Sequence, residues 1–250
     1  MKKLLALTLT LVMIMMMATT AMAETLVMAT NASFPPYEYI GEDGNVVGID
    51  AEIAAAICAK LGYELEISDM EFDAIIPAIK SGKATFGMAG MTVTEERAQL
   101  IDFSDSYATG IQAVIVKEDS EITSVDDLFV EGKNYTVGVQ LSTTGDLYAT
   151  SDIQDAGLGT VNPYPNGTDA VMALLSDKVD CVIIDNEPAK AYVAANEGLK
   201  ILDTEYTVEN YAAAFNKGNT EMLNAFNKAL AELTADGTIP AIIEKYIPTK

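Results

Sequence analysis

The stretch FDAIIPAIKSGKATFGMAGMTVTEER, Phe72 to Arg97, decides how the rest of the chain is read. Its first part repeats apolar residues at helical spacing (Phe72, Ile75, Ile76, Ile79) and stops at Gly82, although Pro77 withholds a backbone donor in the middle. An apolar run of strand length, ATFGMAG, follows. Thr94-Glu95-Glu96 then reads as a helix start that presents Arg97. Helix, strand and helix in such close order are the repeating unit of a sheet covered by helices.

Working outward, the same alternation covers most of the chain. TLVMAT near Leu26 reads as a strand, IDAEIAAAICAKLG as a helix from about Asp50 to Gly62, and ELEIS as the next strand. After TGIQAVIVKED the pattern restarts. SVDDLF is a short helix capped by Ser124, YTVGV a strand, GTDAVMALLSDK a helix, VDCVIID a buried strand and EPAKAYVAANEG a helix. YAAAFNKG is a further strand, and a long amphipathic helix with Thr220 as its cap closes the series. The fold class is therefore α/β with largely parallel sheets, in two units rather than one wide sheet. No low-complexity linker separates the units. Extended crossings near Tyr107 to Ile111 and Thr207 to Tyr211 are expected to join two lobes across a cleft.

The N-terminus, MKKLLALTLTLVMIMMMATTAMA, has the marks of a secretory signal: Lys2 and Lys3, an apolar run, and Ala21-x-Ala23 before Glu24. No cysteine follows it to carry a lipid anchor. The expected mature chain, Glu24 to Lys250, has 13 basic and 37 acidic residues, a formal charge of −24. That balance excludes nucleic acid and anionic membrane surfaces as partners. Histidine is absent, which removes the usual general base and the commonest zinc ligand and argues against an enzyme; no cofactor and no metal are expected. Cys58 and Cys181 sit in apolar patterns and read as two separately buried thiols.

Three strand endings carry pointed chemistry, and in open α/β sheets ligands bind beyond the carboxyl ends of strands. In the first, Gly90 allows close backbone approach, Thr92 offers a hydroxyl, and Arg97 is the only arginine among 15 basic residues. A guanidinium is a planar fork that grips a carboxylate through two parallel hydrogen bonds, which lysine cannot do. A salt bridge to Asp102 or to a glutamate of the same helix is the competing reading. In the second, VQLSTTGD, the amides and hydroxyls of Ser142, Thr143 and Thr144 can receive an anion or simply cap a helix. In the third, Asp185 ends an apolar strand, where it can hold an ammonium or cap the next helix. Fork, nest and buried carboxylate together describe a receptor for a zwitterion, a free α-amino acid.

With these residues in view, the chain resembles the extracellular solute-binding proteins of polar amino acid ABC importers, of the type II periplasmic binding class. The resemblance runs through ATNASFPPYEY, GNVVGIDAEIAAAICAKLG, FDAIIPAIKSGKATFGMAGMTVTEERAQLIDFSDSY, GVQLSTTGD and VDCVIIDNEPAKAY to GLKIL, in family order. It implies two lobes joined by two hinge strands: a signal over 1–23, lobe 1 from 24–108 and 212–250, lobe 2 from 112–207, and crossings at 109–111 and 208–211. It also implies a ligand site made of Asn31, Phe34, Phe72, Gly90, Met91, Thr92, Arg97, Gln140, Ser142, Thr143, Thr144 and Asp185. Arg97, Thr92 and Gly90, with Thr143 and Thr144, would hold the α-carboxylate; Asp185, with Gly90 carbonyl and Thr92 hydroxyl, the α-ammonium. Phe34 and Phe72 would form walls, whereas the residues alone read as core packing. Asn31 and Gln140 would meet the ligand side chain.

Two positions depart from the pattern. Asn31 stands where relatives that take cationic amino acids often carry a carboxylate, and Ser142 where glycine is common. The expected ligand is a free polar amino acid, neutral or cationic, and the expected partner a membrane permease docking on a monomeric protein outside the cytoplasm, in the periplasm or extracellular. The rivals are an exported cyclohexadienyl dehydratase-like enzyme on the same fold and a stand-alone amino acid sensor.

Overall fold

The computed structural model describes residues 23–248, so the signal expected over 1–23 lies, apart from Ala23, outside the described residues. Strand β1 (Thr25–Thr30) leads into a small antiparallel sheet of β2 (Ser33–Phe34), β3 (Glu38–Ile40) and β4 (Val46–Val47). Helix α1 (Ile49–Leu61) follows and buries Ile49, Ile53 and Ile57 along one face. Each of these side chains is fully buried, which stabilises the fold by roughly 2 kcal/mol apiece. Then come β5 (Glu64–Asp69), α2 (Phe72–Lys80, with Pro77 inside it), β6 (Phe86–Gly87) and α3 (Glu95–Leu100). Only two residues of the ATFGMAG run pair in a ladder. Beyond them the chain curls away, because Gly90 has φ +53 and gives its N–H to the Asp50 carboxylate instead of to a neighbouring strand.

The long strand β7 (Ile101–Lys117) opens the second half, which continues with a 3-10 turn at Val125–Phe129, β8 (Tyr135–Gln140) and α4 (Thr144–Ala149). After these come β9 (Gly159–Tyr164), α5 (Gly167–Leu175), β10 (Cys181–Asp185), α6 (Asn186–Ala195) and β11 (Leu199–Ile201). The chain returns through β12 (Thr207–Asn216) and ends in α7 (Thr220–Ala235) and α8 (Thr238–Tyr246). Helix α7 begins at Thr220, so Asn219 holds the cap position expected for Thr220.

The main sheet has nine strands in the order β5-β1-β6-β12-β7-β10-β8-β9, with β11 also on β7. Within each half the pairing is parallel, β1 with β5 and β6, and β8 with β9 and β10. At the join it is antiparallel: β12 pairs with β6 and β7, and β10 and β11 pair with β7. The two expected units are present and each is parallel inside, but the sheets are not separate: one mixed, curled sheet runs through both halves, because β7 and β12 cross from one to the other side by side and pair antiparallel. The crossing is tight: a Cβ at Gly110 would lie 2.0 Å from the Tyr211 hydroxyl, so only glycine lets the tyrosine pass. Both cysteines are free and buried, and burial pushes the Cys58 thiol up to about 11 and Cys181 higher still.

Candidate functional site

Thr94 caps α3 by accepting from the Arg97 N–H, which fixes the first turn and aims the arginine inward. The arginine is 5% exposed. Nη1 donates to Thr92 O at 2.9 Å and Nη2 to Ser142 O at 3.0 Å, so the fork spans the two halves. The Phe72 ring covers it, with the ring centre 5.3 Å from Cζ. Asp102 is engaged elsewhere, by Lys217 Nζ and the Gly218 N–H, both at 3.0 Å. Among the described residues no carboxylate makes an ion pair with Arg97. Burial pulls the guanidinium below its ordinary value, opposed by the field of Glu209, Tyr148 and Asp185. A buried cation without an anionic partner is a strong attractor for an anion.

Asp185 stands at the N-terminus of α6, yet its side chain makes no capping bond. Register explains where it goes instead. Asp185 lies opposite Gln112 in the β10/β7 ladder, at the point where β7 changes partner from β12 to β10. Gln112 Nε2 donates to Asp185 Oδ2 at 2.7 Å and to Glu209 Oε2 at 2.9 Å, and the Tyr211 hydroxyl donates to Asp185 Oδ1. Thr144 Oγ1 donates to Glu209 at 3.0 Å and lies 3.5 Å from Thr92 Oγ1. Burial, then Glu209, pushes the Asp185 carboxyl up to about 7.

A third group of polar side chains sits beside these. Gln140 Nε2 donates to Asn31 Oδ1 at 2.9 Å, linking the halves again, while Asn31 Nδ2 donates to Met70 O. Gly90 holds φ +53, and a Cβ there would come within 2.8 Å of Phe34 Cε1. Below lie Glu38 and Asp50, both fully buried. Asp50 Oδ2 accepts from the Gly90 N–H and the Tyr107 hydroxyl. With Glu38 written as a carboxylate, neither of its oxygens has a donor. As a neutral acid it can donate to Asp50, and burial followed by the Asp50 charge does push Glu38 well above the usual carboxylate range. Burial pushes Asp50 up to about 6, held back by the Gly90, Tyr107 and Glu38 bonds.

One small cavity is lined by Asn31, Phe34, Phe72, Gly90, Thr92, Arg97, Gln140, Thr143, Thr144 and Asp185, together with Glu38 and Ala89. Two expected site residues lie elsewhere. Met91 is fully buried in the core with Ile75, Ile79 and Ile101, because successive residues of an extended chain face opposite ways and Thr92 faces the cavity. Ser142 lines the adjoining outer groove and reaches the site through its carbonyl; its φ of +62 is the reason glycine suits that place. The amide nest is partly used internally: Ser142 N–H donates to Asp146 and Thr143 N–H to Gln140 O. Thr143 also caps α4, accepting from the Asp146 N–H. Sequence reading missed Glu38, Asp50, Gln112, Glu209 and Tyr211. For Glu38, Gln112 and Glu209 the available signal was a carboxylate or glutamine inside an extended run; Asp50, in the first turn of α1, and Tyr211 gave none.

Comparison with known proteins places this geometry. The family model for bacterial extracellular solute-binding proteins, family 3, matches residues 26–249. The arginine-binding extracellular protein ArtP of Bacillus subtilis (strain 168) is 36% identical over 224 residues, 88% of this chain and 85% of that protein. Among solved structures, an ancestral arginine-binding protein bound to glutamine superposes with TM-score 0.84 at 42% identity, covering 91% of this chain and 100% of that one. An amino acid ABC transporter substrate-binding protein, AbpA from Streptococcus pneumoniae bound to L-arginine, gives 0.81 at 33%, covering 89% and 94%. The fold is the type II periplasmic binding protein fold, two lobes joined by two hinge strands. With nearly the whole described chain matched, this protein belongs to the bacterial extracellular solute-binding proteins, family 3.

Proposed function

We propose that this protein is the extracytoplasmic binding component of an ABC importer, and that it takes up a polar amino acid by closing two lobes over its α-carboxylate and α-ammonium. The observation that carries this reading is one cavity with a buried, unpaired Arg97 and a buried Asp185 on its walls, an anion site and a cation site in one enclosure. Arg97 and Thr92, with Thr144 from the facing half, take the carboxylate; Asp185 takes the ammonium. Lobe 1 comprises 24–108 and 212–250, lobe 2 comprises 112–207, and 109–111 and 208–211 form the hinge. Asn31–Gln140, Arg97–Ser142 and Tyr192–Ser33 bonds span the lobes and supply contacts that differ between open and closed forms, as a population shift requires. The closed form would dock as a monomer on a membrane permease, in the periplasm or outside the cell.

Polar side chains of Asn31, Gln140 and Glu38 line the cavity beside the head-group site, the Asn31 carbonyl accepting from Gln140 and Ser33 as the cavity stands, and relatives are named for arginine, histidine and cystine. Arginine is the first ligand to test and glutamine the second. A thermal-shift panel of the common amino acids decides: saturation at a hundredfold over Kd stabilises by about 2.7 kcal/mol, roughly 5–10 °C for a chain of this size. A panel without any shift overturns the reading. Incubation with prephenate should give no phenylpyruvate, in keeping with relatives that are binding proteins.

A further inference from the structure

Glu209 has no part in the contacts proposed above, yet it is 3% exposed and beside Asp185, which is 6% exposed. Two buried carboxylates on one site cannot both ionise cheaply unless a cation joins them. Here the only link is neutral. A single nitrogen, Gln112 Nε2, has two hydrogens and gives one to each acid. Among the described residues neither acid makes an ion pair, and Glu209 Oε1 has no hydrogen-bond partner.

We propose that Asp185, held against Glu209 through Gln112, carries a proton in the unliganded protein and releases it when a ligand ammonium enters, coupling amino acid binding to proton release. This rests on Asp185 being the ammonium site. In the step, a carboxyl O–H bond breaks and its proton passes to buffer. The carboxylate so formed accepts an N–H from the incoming ammonium, which keeps all its protons.

The surroundings fit a proton on Asp185. Tyr211, on the same strand as Glu209, donates to Asp185, and Tyr148 on α4 adjoins Glu209; both hydroxyls are themselves pushed up by burial and by these acids. Arg97 on α3 favours ionisation of Asp185 but does not touch it. Glu38 on β3 lies in the field of Asp185, but as a neutral acid it adds no charge beside it. Burial and then Glu209 leave Asp185 titrating at about 7. An acid raised in this way is protonated below that pH and ionised above it, so ligand affinity rises with pH through the same window.

Isothermal titration of the full mature protein with L-arginine, in buffers of low and high ionisation heat, counts the protons. About one proton per ligand is expected at about pH 6 and almost none at about pH 8. In Glu209→Gln, which removes the repulsion and leaves the burial, the count at the lower pH should fall below that of the parent. Carboxyl carbon NMR on the unliganded protein supplies a ligand-independent check. A carboxyl titrating near neutrality should vanish in Asp185→Asn and move to lower pH in Glu209→Gln. Tight binding with buffer-independent heat at both pH values, or the absence of such a carboxyl, overturns the proposal. Failure of every amino acid to bind would instead remove the function assigned to the site, and the NMR titration would still decide the proton on Asp185.

Discussion

Replacing Arg97 by lysine keeps the charge and removes the fork. In the structure Nη1 and Nη2 reach carbonyls at 2.9 and 3.0 Å on opposite sides of the cleft, and the plane of the group lies over Phe72. A lysine ammonium reaches one of these partners at a time and offers no plane to the ring. A hydrogen bond to a charged group is worth about 1.5–3 kcal/mol, and the lost ring contact adds about 0.5–1 kcal/mol. Binding of arginine or glutamine should therefore weaken by about 2–4 kcal/mol, a factor of roughly 30 to 1,000 in Kd. Titration calorimetry reads the affinity, and circular dichroism checks that the fold is kept. A folded Arg97→Lys protein whose Kd lies within about threefold of the parent would refute the carboxylate-fork assignment, since calorimetry resolves well below 1 kcal/mol.

Two other outcomes follow from the same geometry. Asp50 and Asp185 are raised to about 6 and about 7, so each holds its proton more tightly in the folded chain than in the unfolded one. Their contribution is greatest at low pH and is lost as pH rises through those values. The unliganded protein should melt higher at about pH 5 than at about pH 8, by on the order of 3 kcal/mol or roughly 5–10 °C, and a flat or inverted profile by scanning calorimetry would contradict the buried-acid picture. Gly90→Ala places a Cβ within 2.8 Å of Phe34 and forces φ +53 on a residue that avoids it. A loss of about 1–2 kcal/mol in stability and weaker ligand binding are expected, and unchanged melting and affinity would show that the Phe34 wall yields freely.

Much of the site was readable because its signals are local. Arg97 follows a capping threonine, Asp185 ends an apolar strand, and each shows up in a window of a few residues. What escaped was the company they keep. Gln112, Glu209 and Tyr211 sit in runs that read simply as extended chain, and nothing near them in sequence says that they meet Asp185, 73 residues from Gln112. Met91, which the resemblance implied in the site, faces the core, since one step along an extended chain reverses the side chain. The amide nest looked open in sequence, yet Asp146 and Gln140 accept from two of its N–H groups.

By itself the sequence determined the alternation of helices and strands, the places where strands end, and the polar residue types at those ends, because hydrophobic period and capping are properties of neighbouring residues. Only the tertiary structure decided which acids are buried together and which cation is left without an anionic partner among the described residues. Charge cost depends on depth and distance, and both are set by strand register at the join, where Asp185 lies opposite Gln112 and β12 brings Glu209 and Tyr211 alongside.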